Sequence, residues 1–133
     1  ALQIADLSEG DFAPLTEENR DIDDQGAAWH PDGDLIAITR RYLDPDRLTR
    51  GHQLFLADVN AGTVTELVYD ERYIHSFFSW SPDGTQLLMN RFPALDENGD
   101  PNADGKLEIW TYDMATGDLT RLIEDAYQPR WVP

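Results

Sequence analysis

The chain contains no cysteine, so neither a disulfide nor a thiolate contributes to its fold or chemistry, and its redox compartment cannot be read from it. Lysine is almost missing as well: Lys106 is the only one. Lysine and arginine total 10 against 26 aspartates and glutamates, a formal net charge of −16 over 133 residues. A surface this acidic repels phosphate backbones, which argues against nucleic acid as a partner and favours cations or basic partners. No apolar run approaches membrane-spanning length, and no basic-then-apolar leader opens the chain. Gly-x-Ser-x-Gly does not occur, and Ser8, Ser76, Ser79 and Ser81 sit in expected turns or beside tryptophan. His30, His52 and His75 are not at metal-ligand spacing. Neither nucleophilic catalysis nor a histidine metal centre is therefore expected.

What the chain does have is a repeat. Phe78-Ser79-Trp80-Ser81-Pro82-Asp83-Gly84 is preceded by Ala28-Trp29-His30-Pro31-Asp32-Gly33 and followed by Pro129-Arg130-Trp131-Val132-Pro133. The tryptophans stand at 29, 80 and 131, two equal steps of 51 residues. One motif per period of that size marks stacked supersecondary units, and one tryptophan per unit reads as a structural anchor rather than a stacking platform. Within the motif, Pro82 presets φ for a type I turn, Asp83 bonds nearby backbone, and Gly84 takes an exit conformation that a side chain resists. With apolar residues on both sides, the motif is a β-hairpin.

Each period continues with two more strands. In the first, Ala27 to Trp29 and Leu35 to Thr39 are followed by Gln53 to Val59, a turn at Asn60-Ala61-Gly62, and Thr63 to Val68. In the second, Leu107 to Asp113, a turn at Ala115 to Asp118, and Leu119 to Ile123 follow Gln86 to Asn90. Asp58 and Asp113 read as turn-capping carboxylates. The strand at Leu35 to Thr39 is apolar at successive positions, so both its faces must be covered. Residues 1–25 hold a strand pair matching the third and fourth strands of a unit, with Glu17 to Gln25 as a polar connection. The expected order is therefore a half unit at 1–25, full units at 26–69 and 70–124, and a lone first strand at 125–133. No strand-to-helix alternation appears, so the class is all-β, built of four-stranded antiparallel meanders.

These motifs resemble the TolB-type β-propellers, whose blades carry Trp-Ser-Pro-Asp-Gly at the first hairpin. Ser79 to Gly84 matches fully, and Trp29 to Gly33 matches with His30 in place of serine. The aromatic–x–x–Asp third strand appears as Phe55 to Asp58 and again as Trp110 to Asp113. The resemblance implies two complete blades with part-blades at each end, hence an incomplete ring, cut internally at position 1 and near its true end at 133. A missing N-terminal portion or other copies of this chain would complete it, since faces bearing Ile36, Phe55 and Ile109 would otherwise meet water. It also implies a non-catalytic module for protein, peptide or ligand binding in an extracytoplasmic setting. A second reading is the gating propeller of a serine peptidase of the prolyl-oligopeptidase kind, whose catalytic domain would lie outside this chain.

The second unit is four residues longer before its third strand ends: Gly33 to Asp58 is 25 steps and Gly84 to Asp113 is 29. The insertion falls at 93–106, where a loop is freest to carry function. From Asp100, oxygen side chains fall at Asp100, Asn102 and Asp104, a glycine follows at 105, the Lys106 carbonyl comes next, and Glu108 closes the series. That spacing matches a calcium loop, in which alternate oxygens wrap a hard cation. It resembles the calcium hairpins of integrin-type propellers, and the expected ligands are Asp100, Asn102, Asp104, Lys106 and Glu108. The other reading is a solvated Asp/Asn/Gly loop that binds no ion.

Overall fold

A computed structural model describes residues 1–132 and shows ten antiparallel strands in three sheets. Strands β1 (Gln3–Asp6) and β2 (Asp11–Pro14) form a two-stranded sheet. The first blade is a meander of β3 (Ile22–Trp29), β4 (Leu35–Tyr42), β5 (Gln53–Asp58) and β6 (Thr63–Val68). The second repeats it with β7 (Tyr73–Trp80), β8 (Gln86–Pro93), β9 (Glu108–Asp113) and β10 (Leu119–Glu124). The two blades fan out from their first strands. β7 lies against β3, β4 and β5, whereas β6 and β10 form the outer edges of the blades beside β5 and β9. Two complete blades with partial ones are thus the observed all-β architecture.

The side-chain period of two explains how both faces of a blade are filled. Along β4 and β5, Ala37, Leu54 and Leu56 face the second blade, where they join Trp80, Leu87 and Met89. Ile36, Ile38, Phe55 and Ala57 face the other way and pack with Leu2, Ile4 and Leu15 from the N-terminal segment. Ile36 and Phe55 are therefore fully buried, not in water as expected for a lone chain, because the β1–β2 region covers them. A fully buried Leu or Ile contributes about 1.5–3 kcal/mol, against about 1 kcal/mol for a net hydrogen bond. Burial supplies most of the energy of the seam, and the hydrogen bonds set its register.

Those bonds recur. The Trp80 indole N–H donates to the Ala28 carbonyl at 2.9 Å, and His30 Nε2 donates to the Gly84 carbonyl at 3.0 Å. The His30 ring meets Trp80 edge-on at 4.7 Å. Fully buried Gln53 accepts from the Asp70 N–H and donates to the Tyr73 carbonyl, pinning the start of β7 to the first blade. Trp80 is 8% exposed, whereas Trp29, with no inner strand before it among the described residues, is 49% exposed.

The inner hairpins run further than the apolar pattern shows. β3 begins at Ile22, inside the stretch expected as a connection, and β4 and β8 continue past Thr39 and Asn90. Asp23 and Asp24 lie directly opposite Arg41 and Arg40, and His75 lies opposite Arg91, and hydrogen bonds join Asp24 to Arg40 and His75 to Arg91 across the ladder. Residues 125–132, expected as a closing inner strand, pair with no strand among those described. Side chains hold them instead: Asn90 donates to the Ala126 carbonyl and accepts from the Gln128 N–H, and the Ser79 hydroxyl accepts from the Trp131 N–H.

Candidate functional site

Both inner strands break their ladder at one level. The register of β3 with β4 shifts between Gln25 and Ala27, and that of β7 with β8 between Ser76 and Phe78. The extra residues, Gly26 and Phe77, have φ of 59° and 48°, and Gln128 has 54°. These three positions are 51 residues apart, so the third inner segment keeps the left-handed backbone although it pairs with no strand and has no ladder to break. Left-handed backbone suits glycine at 26 but costs Phe77 on the order of 1–3 kcal/mol. Phe77 is also 54% exposed. A large apolar side chain in strained backbone at the surface is poorly explained by stability, and bulges re-aim side chains beside sites.

Around these bulges lies a cavity of about 750 Å³, walled by β3, β7 and residues 128–131. Its lining combines Phe77, Phe78 and Trp131 with Gln25, Ser76 and Arg130, among others. In a chain with 26 acidic residues, no aspartate or glutamate lines it. Arg130 makes no ion pair among the described residues. His52, on the wall, donates through Nε2 to Asp23 at 3.1 Å, which fixes its ring.

His75, also in the lining but buried, donates from Nδ1 to the His52 carbonyl at 3.3 Å and accepts at Nε2 from Arg91 Nε at 3.1 Å. Burial, with the neighbouring Arg91 charge, pushes its imidazole down to about 4, so it is neutral near pH 7. Arg91 is buried between Tyr73 and Trp110, 3.8 Å and 4.6 Å from their ring centroids, with Asp70 3.8 Å away. Burial lowers its guanidinium from the ordinary value. No hydrogen bond among the described residues joins a serine to a histidine: Ser8 and Ser81 bond aspartates, and Ser79 accepts from Trp131.

The residues of the expected calcium loop are arranged differently. The insertion closes on itself as a small hairpin, with a bridge between Leu95 and Pro101. Its organising carboxylate is Asp96, whose Oδ1 accepts from the N–H groups of Asn98 and Asp100. Asn102, Asp104, Lys106 and Glu108 border one shallow cavity of about 160 Å³; Asp100 is not part of it. Glu108 is buried at the start of β9, with Oε1 accepting from the Trp110 indole and Oε2 from Arg121. Lys106 extends to Asp125 at 3.4 Å. No three carboxylate or imidazole residues converge on one ion position among the described residues. The closing carboxylate of the expected set, Glu108, is thus bonded by protein donors at both oxygens. Glu108 starts β9 as Gln53 starts β5, and both are buried side chains that pin neighbouring segments.

Asp58 and Asp113 do cap turns, each accepting two N–H bonds, and Asp6 does the same in the β1–β2 hairpin. The bulges escaped sequence reading. Their available signal was Gly26 in the middle of an otherwise extended segment.

No family model matches the chain, and no curated protein does. Among solved structures it is similar to an oligogalacturonate lyase from Vibrio parahaemolyticus, with a TM-score of 0.58 and 11% identity over 92% of this chain and 29% of that one. It is also similar to dipeptidyl peptidase 4 of Porphyromonas gingivalis, with a TM-score of 0.57 and 15% identity over 96% of this chain and 22% of that one. The chain thus spans less than a third of either protein. At such identities the likeness is one of fold, and it places the chain in the broad β-propeller-like class.

Proposed function

We propose that the chain is a non-catalytic binding module of the propeller type, and that it holds its ligand in the cavity between the inner strands. The observation that carries this reading is the left-handed backbone repeated at Gly26, Phe77 and Gln128 around that cavity, the first two as bulges. Repeated breaks in hydrogen bonding weaken a sheet, and Phe77 adds backbone strain; both are intelligible where a surface is built to meet something else. The lining mixes aromatic faces with hydrogen-bonding groups, the usual make-up of a small-molecule site.

The test is a set of amide NMR spectra titrated with benzoate, benzamide and glucose at millimolar concentration and 150 mM salt. The reading calls for shifts concentrated in residues 25–27, 76–79 and 128–131 with at least one probe. Shifts confined to other faces, or none with any probe, would refute it.

A further inference from the structure

From the composition of the cavity wall, we infer that the ligand is a small carboxylate carrying a flat ring, its charge on Arg130 and its ring against Phe77. This rests on the cavity being the binding site and goes further by naming the chemistry bound.

The whole chain carries a formal charge of −16, which would ordinarily disfavour an anion. The cavity is the exception, because no carboxylate lines it and Arg130 lines it without an ion-pair partner among the described residues. At physiological salt the Debye length is about 8 Å, so exposed acids beyond that distance are largely screened while a direct contact is not. Local charge therefore decides. An arginine presents a planar fork that matches a carboxylate with two parallel hydrogen bonds. The two acids that precede Gln25 on the wall are engaged elsewhere, Asp24 by Arg40 at 2.7 Å and Asp23 by His52 at 3.1 Å and Arg41 at 3.6 Å, which keeps them from competing for Arg130.

The ring follows from Phe77. Its equivalent in the first blade is Gly26, which takes the same positive φ without strain. The phenyl group is thus an addition at a place where glycine would serve the backbone better, and it stands exposed at the cavity. Trp131 supplies a second aromatic side chain in the lining. Aromatic rings favour offset or edge-to-face contact with another ring, which rewards a flat ligand over a puckered one.

The experiment compares benzoate, benzamide and cyclohexanecarboxylate by NMR titration of the full chain at 150 mM salt. Benzoate is expected to bind at least tenfold more tightly than benzamide, and more tightly than cyclohexanecarboxylate. Arg130→Gln should remove the preference for benzoate over benzamide; the side chain is exposed, so the fold should survive. Phe77→Gly should weaken both aromatic probes at least fivefold while leaving the melting temperature unchanged or higher, a pair of results that a packing role would not produce. Equal binding of benzoate and benzamide, or a preference that persists in Arg130→Gln, would overturn the carboxylate while leaving the cavity as a binding site. Binding of cyclohexanecarboxylate as tight as that of benzoate would overturn the flat ring. Absence of shifts at 76–79 and 128–131 with every probe would overturn both the ligand and the site.

Discussion

His75 occupies in the second blade the place that Asp24 occupies in the first, 51 residues earlier, and each meets the arginine directly across its hairpin. Asp24 grips Arg40 with two bonds of 2.7 and 3.0 Å, while His75 accepts a single bond from Arg91 at 3.1 Å. One blade holds a buried ion pair and its neighbour holds a buried cation against a neutral ring.

This difference gives the second blade a sensitivity to acid. The folded protein keeps His75 near a pKa of about 4, below the ordinary value of 6.5. The unfolded chain therefore binds a proton first as pH falls, and stability contributed by the neutral ring is lost between about pH 6.5 and pH 4, by roughly 3 kcal/mol in all. Urea midpoints measured at pH 7, 6, 5 and 4 should decline across that window. In His75→Asp, which recreates the Asp24–Arg40 arrangement, the decline should be absent above pH 5. An identical slope in the variant would show that His75 is not its source. The depressed carboxylates act lower down: Asp83, whose Oδ1 is bonded by Ser81 and Thr85, sits at about 2 and loses its contribution only below pH 4.

The turn glycines separate backbone cost from seam cost. Gly33 and Gly84 have φ of 80° and 72°, so alanine is strained at either, by about 1–2 kcal/mol. A Cβ at Gly33 meets nothing within 4 Å, whereas one at Gly84 would fall 2.2 Å from His30 Nε2. Gly84→Ala should therefore destabilise more than Gly33→Ala by at least about 1 kcal/mol, and His30→Ala should recover part of the excess. Chemical denaturation of the native protein, the three single variants and the Gly84→Ala/His30→Ala double variant measures this, and equal losses at the two glycines would place His30 away from the turn.

Both Glu108 oxygens are engaged by protein donors. Glu108→Gln keeps the shape of the side chain and a hydrogen-bonding end like that of Gln53, and should cost less than about 1.5 kcal/mol. Glu108→Ala leaves the Trp110 N–H without its acceptor and Arg121 with Glu124 alone, and should cost about 1–3 kcal/mol. Millimolar calcium should leave the melting temperature of the native protein unchanged. A rise with calcium that Glu108→Ala abolishes would restore the calcium loop.

Much of the fold was legible because it is repeated. Three tryptophans at one spacing, two Pro-Asp-Gly turns and two Asp-capped hairpins give the strand order and the meander, and both faces of β4 are indeed covered. Charge hid the rest. Asp23 and Asp24 fall in the stretch expected as a connection, Arg40, Arg41 and Arg91 lie beyond the expected strand ends, and only the cross-strand register shows these charges facing partners inside a sheet. The cavity was missed for a related reason. Phe77 and Phe78 read as one apolar run entering the core, but a bulge turns adjacent residues off the regular alternation and leaves Phe77 outside. The calcium spacing counts oxygens along the chain and could not show that Asp96 organises the hairpin or that Arg121 bonds Glu108.

The radial arrangement itself rests on one bond, from the Trp80 indole to the Ala28 carbonyl across the seam. Hydrogen exchange of the indole protons, read residue by residue by NMR, tests it directly. Trp80 should exchange only through global unfolding, with Trp29, half exposed, exchanging orders of magnitude faster. If the Trp80 proton exchanges as fast as that of Trp29, the two sheets do not pack as neighbouring blades.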